Sequence, residues 1–167
     1  MGEKSFVTIG RVAVIGLVAV GALGAAAKSP YPYSRLQFEV AHGKEAVAIR
    51  DALLAAAPKS PTGAFTYGTG LATEFAPVLD CQNADARLNA AILFAEMGTL
   101  SCDRTLMDML KNNDPAVRLW GAKGLARLAP MELRAGPGKV KGALTAAAGV
   151  EKVPEVAAEL AETLKLY

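Results

Sequence analysis

The spacing of hydrophobic positions predicts a chain of amphipathic helices, and the clearest pattern occurs twice. The segments from Ala84 to Met97 and from Ala116 to Leu128 superpose with Arg87 on Arg118 and with apolar residues in register around them. Their offset of about 31 residues lies within the roughly 20 to 45 residues expected of stacked structural repeats. We therefore predict an all-α domain in which two similar helical units pack side by side.

The first predicted helix of the earlier unit, Ala84 to Met97, is apolar around most of its circumference. Its polar residues Asp85, Asn89 and Glu96 share one narrow sector of the helical wheel, and Asn83 is placed to cap the helix. A helix that is apolar on nearly all sides must be covered on several of them. We expect this helix to lie in the middle of the stack.

Proline and glycine positions divide the rest of the chain into further predicted elements. Helices are predicted at residues 34–57, 71–80, 140–148 and 154–166, and Gly43 breaks or bends the first of them. In that helix the predicted core-facing stripe consists of Leu36, Val40, Val47 and Leu54, with Ala46, Ile49 and Leu53 beside it. The outer positions of 154–166 carry glutamates, which suits a helix that closes one end of a stack.

Two further features are candidates for contact with a partner. Residues 59–70 (KSPTGAFTYGTG) predict a long loop, in which Phe65 and Tyr67 either meet a partner or fold back over a core edge. In the helix that starts at residue 115, Lys123 and Arg127 flank Trp120, which is either a wedge between units or a surface for a ligand. Two glycines in the same helix predict the close approach of a neighbouring helix.

Residues 1–29 predict a signal or anchoring segment. Lys4 and Arg11 precede an unbroken apolar run from Val12 to Ala27, about 16 residues and roughly 24 Å long as a helix. Its Gly-rich composition favours a retained transmembrane anchor, whereas the small residues before Lys28 fit a signal peptide cleaved after Ala27. In either case the body of the chain is expected on the extracytoplasmic side. Residues 30–33 (PYPY) predict a spacer near the membrane surface or a plain linker.

The run Asp114-Pro115-Ala116-Val117-Arg118, followed by Ala122 and Leu125, resembles the first helix of a HEAT repeat. The segment 83–97 is a weaker copy that keeps the arginine but lacks the proline. The resemblance covers roughly residues 71–167 and implies a short stack of antiparallel helix pairs, with repeats at 83–112 and 113–150. It also implies that Arg87, Asp114 and Arg118 link neighbouring repeats.

Composition gives little support to catalysis, cofactor or metal binding, or binding of nucleic acid. The net charge is +2 in 167 residues, His42 is the only histidine, and the common nucleophile and phosphate-loop motifs are missing. Cys81 and Cys102 are predicted to lie at opposite ends of a helix of about 14 residues, roughly 21 Å apart, which is too far for a disulfide.

These features together predict a non-enzymatic scaffold or accessory subunit that binds other protein subunits and is held at a membrane through Val12 to Ala27. Two alternatives stay open: a secreted ligand-binding or enzyme-accessory domain released by signal cleavage, and a structural subunit that assembles with copies of itself.

Overall fold

The computed structural model describes residues 29–136 and 138–167, and this part of the chain is all helical with no β-strand. The eight α-helices are α1 (Arg35–Val40), α2 (Lys44–Ala55), α3 (Pro61–Phe75), α4 (Ala84–Met97), α5 (Asp103–Met109), α6 (Pro115–Ala135), α7 (Gly138–Ala148) and α8 (Pro154–Leu164). Short 3-10 helices occupy Ala76–Asp80 and Leu100–Cys102. The all-α prediction is confirmed for these residues.

The predicted signal or anchor, residues 1–29, lies outside the described residues except for Ser29. Among the helices that the structure describes, none combines the length and the apolar character that a membrane crossing requires.

The helices contact one another in chain order within two layers. In one layer α2 packs on α4, α4 on α6, and α6 on α8. In the other, α3 contacts the 3-10 helix Leu100–Cys102 that leads into α5, and α5 contacts α7. The layers are joined because α5 also packs on α6, and α7 on α8. Each helix of the first layer therefore has neighbours on both sides, except α2 and α8 at the ends.

Helix α4 occupies the middle of this arrangement, as its apolar circumference predicts. Seven of its residues are buried, including Leu93 and Phe94, which are fully inaccessible to solvent. The Asn83 side chain accepts hydrogen bonds from the backbone N–H groups of Asp85 and Ala86, so the predicted cap is confirmed. Its amide group also donates to the carbonyls of Glu39 and Ala41, which ties the start of α4 to the end of α1.

The predicted helix 34–57 is divided at Gly43, whose φ of +48° requires glycine, and this break turns α2 away from α1. The change of direction also overturns the predicted core stripe. The buried residues are Phe38, Ala41 and the three predicted beside the stripe, Ala46, Ile49 and Leu53. Of the stripe itself, Leu36, Val40 and Val47 are exposed and Leu54 is half-buried. A stripe drawn along one continuous helix is wrong here, because the two short helices present different sides to the core.

The predicted loop at 59–70 is wrong: nearly all of it belongs to α3. Ser60 caps this helix by accepting from the N–H of Gly63, and Pro61 occupies its first turn. Gly68 faces the chain that precedes α5, where a Cβ would meet the side chains of Thr99, Ser101 and Cys102. The glycines that favour a loop in the sequence instead allow α3 to pack closely on its neighbours.

The predicted spacer at 30–33 also proves to be part of the domain. Tyr31 is buried, and its hydroxyl donates to the carbonyl of Tyr67 at 3.1 Å. Its ring lies edge-on to those of Tyr67 and Phe75, with centroid distances of 4.9 and 5.4 Å. Burial raises the pKa of both tyrosines to about 12. The chain is therefore fixed to the core from Tyr31 onward.

The two glycines in α6 allow helix α5 to approach closely, as predicted. A Cβ on Gly121 would lie 3.0 Å from Cβ of Met109 and 3.1 Å from the carbonyl oxygen of Leu106. One on Gly124 would lie 3.0 Å from Cα of Ala95, in α4. The lack of a side chain at Gly121 and Gly124 thus allows the short distances of α6 from α5 and α4.

Alanine substitutions at Gly121 and Gly142 should change the free energy of unfolding in opposite directions. Gly121→Ala should lower the free energy of unfolding by about 1 kcal/mol, because the overpacking cost of about 1–3 kcal/mol exceeds the gain in helix propensity. Gly142→Ala, in the open on α7, should raise it by up to about 1 kcal/mol. Denaturant unfolding of both variants, followed by circular dichroism, measures the difference. Equal effects at the two sites would contradict the close-packing account.

Candidate interaction surface

Arg87 joins the first layer of helices at the junction between α4 and α6. Its guanidinium Nε donates to Oδ2 of Asp114 at 2.9 Å, and Nη2 lies 2.9 Å from the same oxygen. Its other terminal nitrogen donates to the carbonyl of Cys81 at 2.7 Å. Asp114 also caps α6 through its other carboxylate oxygen. The Asp114 carboxylate thus caps α6 and also binds Arg87 of α4.

Arg118, the residue that superposes on Arg87, makes the equivalent contact at the next junction. It donates to both oxygens of Glu151, at 2.7 and 2.9 Å, and to the carbonyls of Asn112 and Asn113. The Glu151 side chain is only 4% exposed. The Arg118 contact, aided by the N–H groups of Val153 and Lys152, lowers the pKa of Glu151 to about 2. Arg87 and Asp114 therefore connect α4 to the start of α6, and Arg118 connects α6 to the segment that leads into α8.

The junction between α2 and α4 uses different polar groups. Arg50 donates to the side-chain oxygen of Asn89 at 3.0 Å, and the backbone N–H of Gly43 donates to Asp85 at 2.9 Å. Of the polar sector of α4, Asn89 is buried against α2, whereas Asp85 contacts Gly43 and stays half exposed to solvent. All three junctions of the first layer carry polar contacts as well as apolar packing.

The residues predicted to meet a partner lie on two different elements. Phe65 is exposed on the outer side of α3, whereas Tyr67 is buried and its hydroxyl donates to the carbonyl of Leu53 at 2.8 Å. Trp120 is half-buried on α6, with the Lys123 ammonium 4.9 Å from its ring centroid, and Arg127 is exposed. Tyr67 therefore belongs to the core, and Trp120 is partly buried against it. Lys123 is partly exposed, and Phe65 and Arg127 are exposed.

Two grooves beside α5 were not predicted from the sequence. The α3–α5 groove, about 570 Å³, lies between the end of α3 and α5, and Thr73, Thr105 and Asp108 are among its lining residues. The α5–α7 groove has an apolar part of about 380 Å³, lined by Met107, Leu110, Ala143, Ala146, Ala147 and Val150. Lys111 lines both grooves.

The α5–α7 groove changes character along its length. Its apolar part shares Met107, Lys111 and Ala143 with an adjoining cavity of about 460 Å³. That second part is lined by charged residues, namely Asp103, Arg104, Asp108, Lys111 and Lys139. An apolar floor that runs into a charged end is the arrangement expected of a site for an amphipathic segment.

A metal-binding arrangement is not found in the part of the chain that the structure describes. No group of three or more His, Cys, Asp or Glu side chains there is placed to hold a metal ion. His42 is exposed between α1 and α2, with Nδ1 3.6 Å from Asp85. This carboxylate is already bound to Gly43, so the pair belongs to the contact between helices.

The two cysteines are free thiols that lie beyond opposite ends of α4, where the helical hairpin places them. Cys81 is half-buried, and its thiol donates to the carbonyl of Asn83. Cys102 is fully buried against Gly68, and this burial raises the pKa of its thiol to about 12.

We expect the two thiols to react at very different rates with a maleimide at pH 7. Cys81 should be modified in the native protein, whereas Cys102 should react only after unfolding. Burial blocks access of the reagent to Cys102, and the raised pKa keeps its thiol protonated at pH 7. Mass spectrometry of peptides from native and denatured samples measures this. Rapid labelling of Cys102 in native protein would contradict the packing of α3 on the start of α5. Absence of any free thiol in a monomer would contradict the placement of the two cysteines beyond opposite ends of α4.

The low pKa of Glu151 predicts a loss of stability in acid. Since the folded-state value of about 2 lies below the ordinary value of 4.5, the contribution is present above about pH 4.5 and is lost as pH falls toward 2. Glu151→Gln should remove the contribution of this carboxylate to the pH dependence of the free energy of unfolding, which is at most about 1.4 kcal/mol per pH unit. At pH 7 the same variant should lower the free energy of unfolding by about 2 kcal/mol. Unfolding free energies between pH 7 and 2 test both effects.

Glu162→Gln is the matched control for that experiment. Glu162 pairs with Lys165 at 2.6 Å on the exposed side of α8, where an ion pair contributes less than about 1 kcal/mol. A pH dependence that is equally altered in both variants would contradict the special role of the Arg118–Glu151 contact.

Comparison with known proteins adds no family assignment: no protein-family model, no curated protein and no solved structure matches this chain.

Proposed function

We propose that this protein is a non-enzymatic scaffold or accessory subunit that binds another protein through the surface around α5. The observation that carries the proposal is the α5–α7 groove, with its apolar floor and charged end. Residues of α5 and α7, and those that directly follow each helix, form the walls of this groove in the isolated chain. A partner that placed an apolar helix or strand there would remove water from Met107, Ala143 and Val150.

The order of helix contacts supports the resemblance to HEAT repeats. In such a stack, one helix of each pair packs on the equivalent helix of the next pair, and α4 and α6 do so here. The contacts of Arg87 with Asp114 and of Arg118 with Glu151 occur at equivalent places. We propose that residues 83–112 and 113–150 are two such repeats, that α2 and α3 form a divergent first one, and that α8 closes the stack.

Rigidity at the junctions favours a binding role for the grooves between helices. The Arg118–Glu151 contact is bidentate and mostly shielded from solvent, and such pairs are stronger and more directional than exposed ones. Close packing at Gly121 and Gly124 limits sliding of α6 on α5. A groove whose walls are already in place loses less conformational entropy when a partner binds.

The apolar run from Val12 to Ala27 supports placement of this scaffold at a membrane. In this proposal residues 12–27 are retained as an anchor and the helical body lies on the extracytoplasmic side. N-terminal sequencing of the native protein separates this from the secreted alternative. A start at Lys28 would exclude the anchor but leave the binding role of the grooves intact.

A paired set of surface variants tests which face binds a partner. Ala146→Glu combined with Val150→Glu places charge in the apolar groove at two exposed positions, so the fold should persist. We expect at least a tenfold loss of affinity, equivalent to about 1.4 kcal/mol, because a partner would bury unpaired carboxylates. Quantitative affinity capture of the full chain from detergent-solubilised native membranes, followed by binding measurements on the recovered partner, gives the comparison.

Three control variants make the result specific to the groove. Ala161→Glu introduces the same change at an exposed position of α8 and should leave binding unchanged. Phe65→Glu and Lys123→Glu test the faces that the sequence suggests. Loss of binding in either of these, with the groove variant unaffected, would move the site to α3 or α6. A strictly monomeric protein with no partner would contradict the scaffold proposal.

A further inference from the structure

The outer face of α1 carries two apolar residues that are largely exposed to solvent. Leu36 is 65% exposed and Val40 is 71% exposed, and they lie one helical turn apart. Phe38, on the opposite side of the same short helix, is fully buried. Arg35 and Glu39 form an ion pair at 3.2 Å beside the two residues, so the charges next to this apolar strip neutralise each other.

This strip lies close along the chain to the proposed anchor, and little chain separates them. The apolar run ends at Ala27, and Tyr31 is already buried among Tyr67 and Phe75. Four residues of extended chain span at most about 14 Å. The tyrosine hydroxyl is further held by the Tyr67 carbonyl. The chain between the proposed anchor and Tyr31 is therefore too short to carry the body of the protein far from the point where the anchor leaves the bilayer.

A tether of this length keeps the first unit of the stack at the membrane surface. The headgroup layer on each side of a bilayer is about 5 to 7 Å thick, so a connection of at most about 14 Å leaves the attached end of the domain no more than about 7 to 9 Å beyond it. The exposed apolar residues that follow the attachment point soonest in the chain are Leu36 and Val40. Aliphatic side chains at the boundary between headgroups and acyl chains are stabilised by leaving water.

We propose that Leu36 and Val40 form a second, peripheral contact with the lipid bilayer, beside the anchor, and so set the orientation of the stack. This inference rests on the proposed retention of residues 12–27 as an anchor. The contact places the first unit on the membrane and the last unit away from it. Successive helices of the first layer are separated by about 8–10 Å, so α8 lies at most about 24–30 Å from α2.

Fluorescence quenching by lipid-attached spin labels tests this contact in the full chain. A thiol-reactive dye is placed on Leu36→Cys or Val40→Cys, with Leu166→Cys as the control, since Leu166 is 47% exposed and follows α8. Cys81→Ser removes the reactive native thiol, and Cys102 is buried. In vesicles of neutral phospholipid that carry the reconstituted protein, we expect at least fivefold stronger quenching at positions 36 and 40 than at 166.

Extraction of the same vesicles with alkaline carbonate separates this inference from the anchor on which it rests. If the chain resists extraction but all three positions are quenched equally or not at all, the lipid contact is refuted and the anchor stands. If the chain is extracted, both are refuted. Efficient disulfide crosslinking between copies of the Leu36→Cys variant, without quenching at that position, would assign the strip to a second copy of the chain and overturn the lipid contact.

Discussion

The fold depends on the need of helix α4 to be covered on nearly every side. Its buried residues, among them Leu93 and Phe94, face α2, α6 and the 3-10 helix Ala76–Asp80 at once. No single neighbour could remove this much apolar surface from water, so burial of α4 requires a layered arrangement. The close approach at Gly124 and the contacts of Asn83 then fix how the surrounding helices lie.

Local chemistry at helix starts was predictable, because it depends on residues within a few positions. Asn83 caps α4, as its side chain and its position before the apolar run indicate. Asp114 caps α6 in the same way, ahead of Pro115. The prediction failed at 59–70 and at Tyr31, where the outcome depends on residues far away in sequence. Glycine at 68 indicates a loop until Thr99 and Cys102 are known to pack against it.

The grooves beside α5 could not have been found by the same reasoning. Their walls come from helices that are separated in sequence, and their size depends on the angle and spacing at which α3, α5 and α7 pack. Met107, Ala143 and Val150 carry no motif that distinguishes them from core residues. By contrast, Arg87 and Arg118 were identifiable from the sequence because each recurs at the same place in a repeated pattern.

The segment 113–150, proposed above as one repeat, supplies one partner to each of two polar contacts with the segments on either side. Asp114, at its start, accepts the arginine of the preceding unit, and Arg118 binds a carboxylate that follows its end. A tandem duplication of these residues would thus create a new junction with matching partners already in place. In the proposed repeat arrangement the stack can lengthen by whole units, so gene duplication offers a direct route to a longer stack with the same terminal helices.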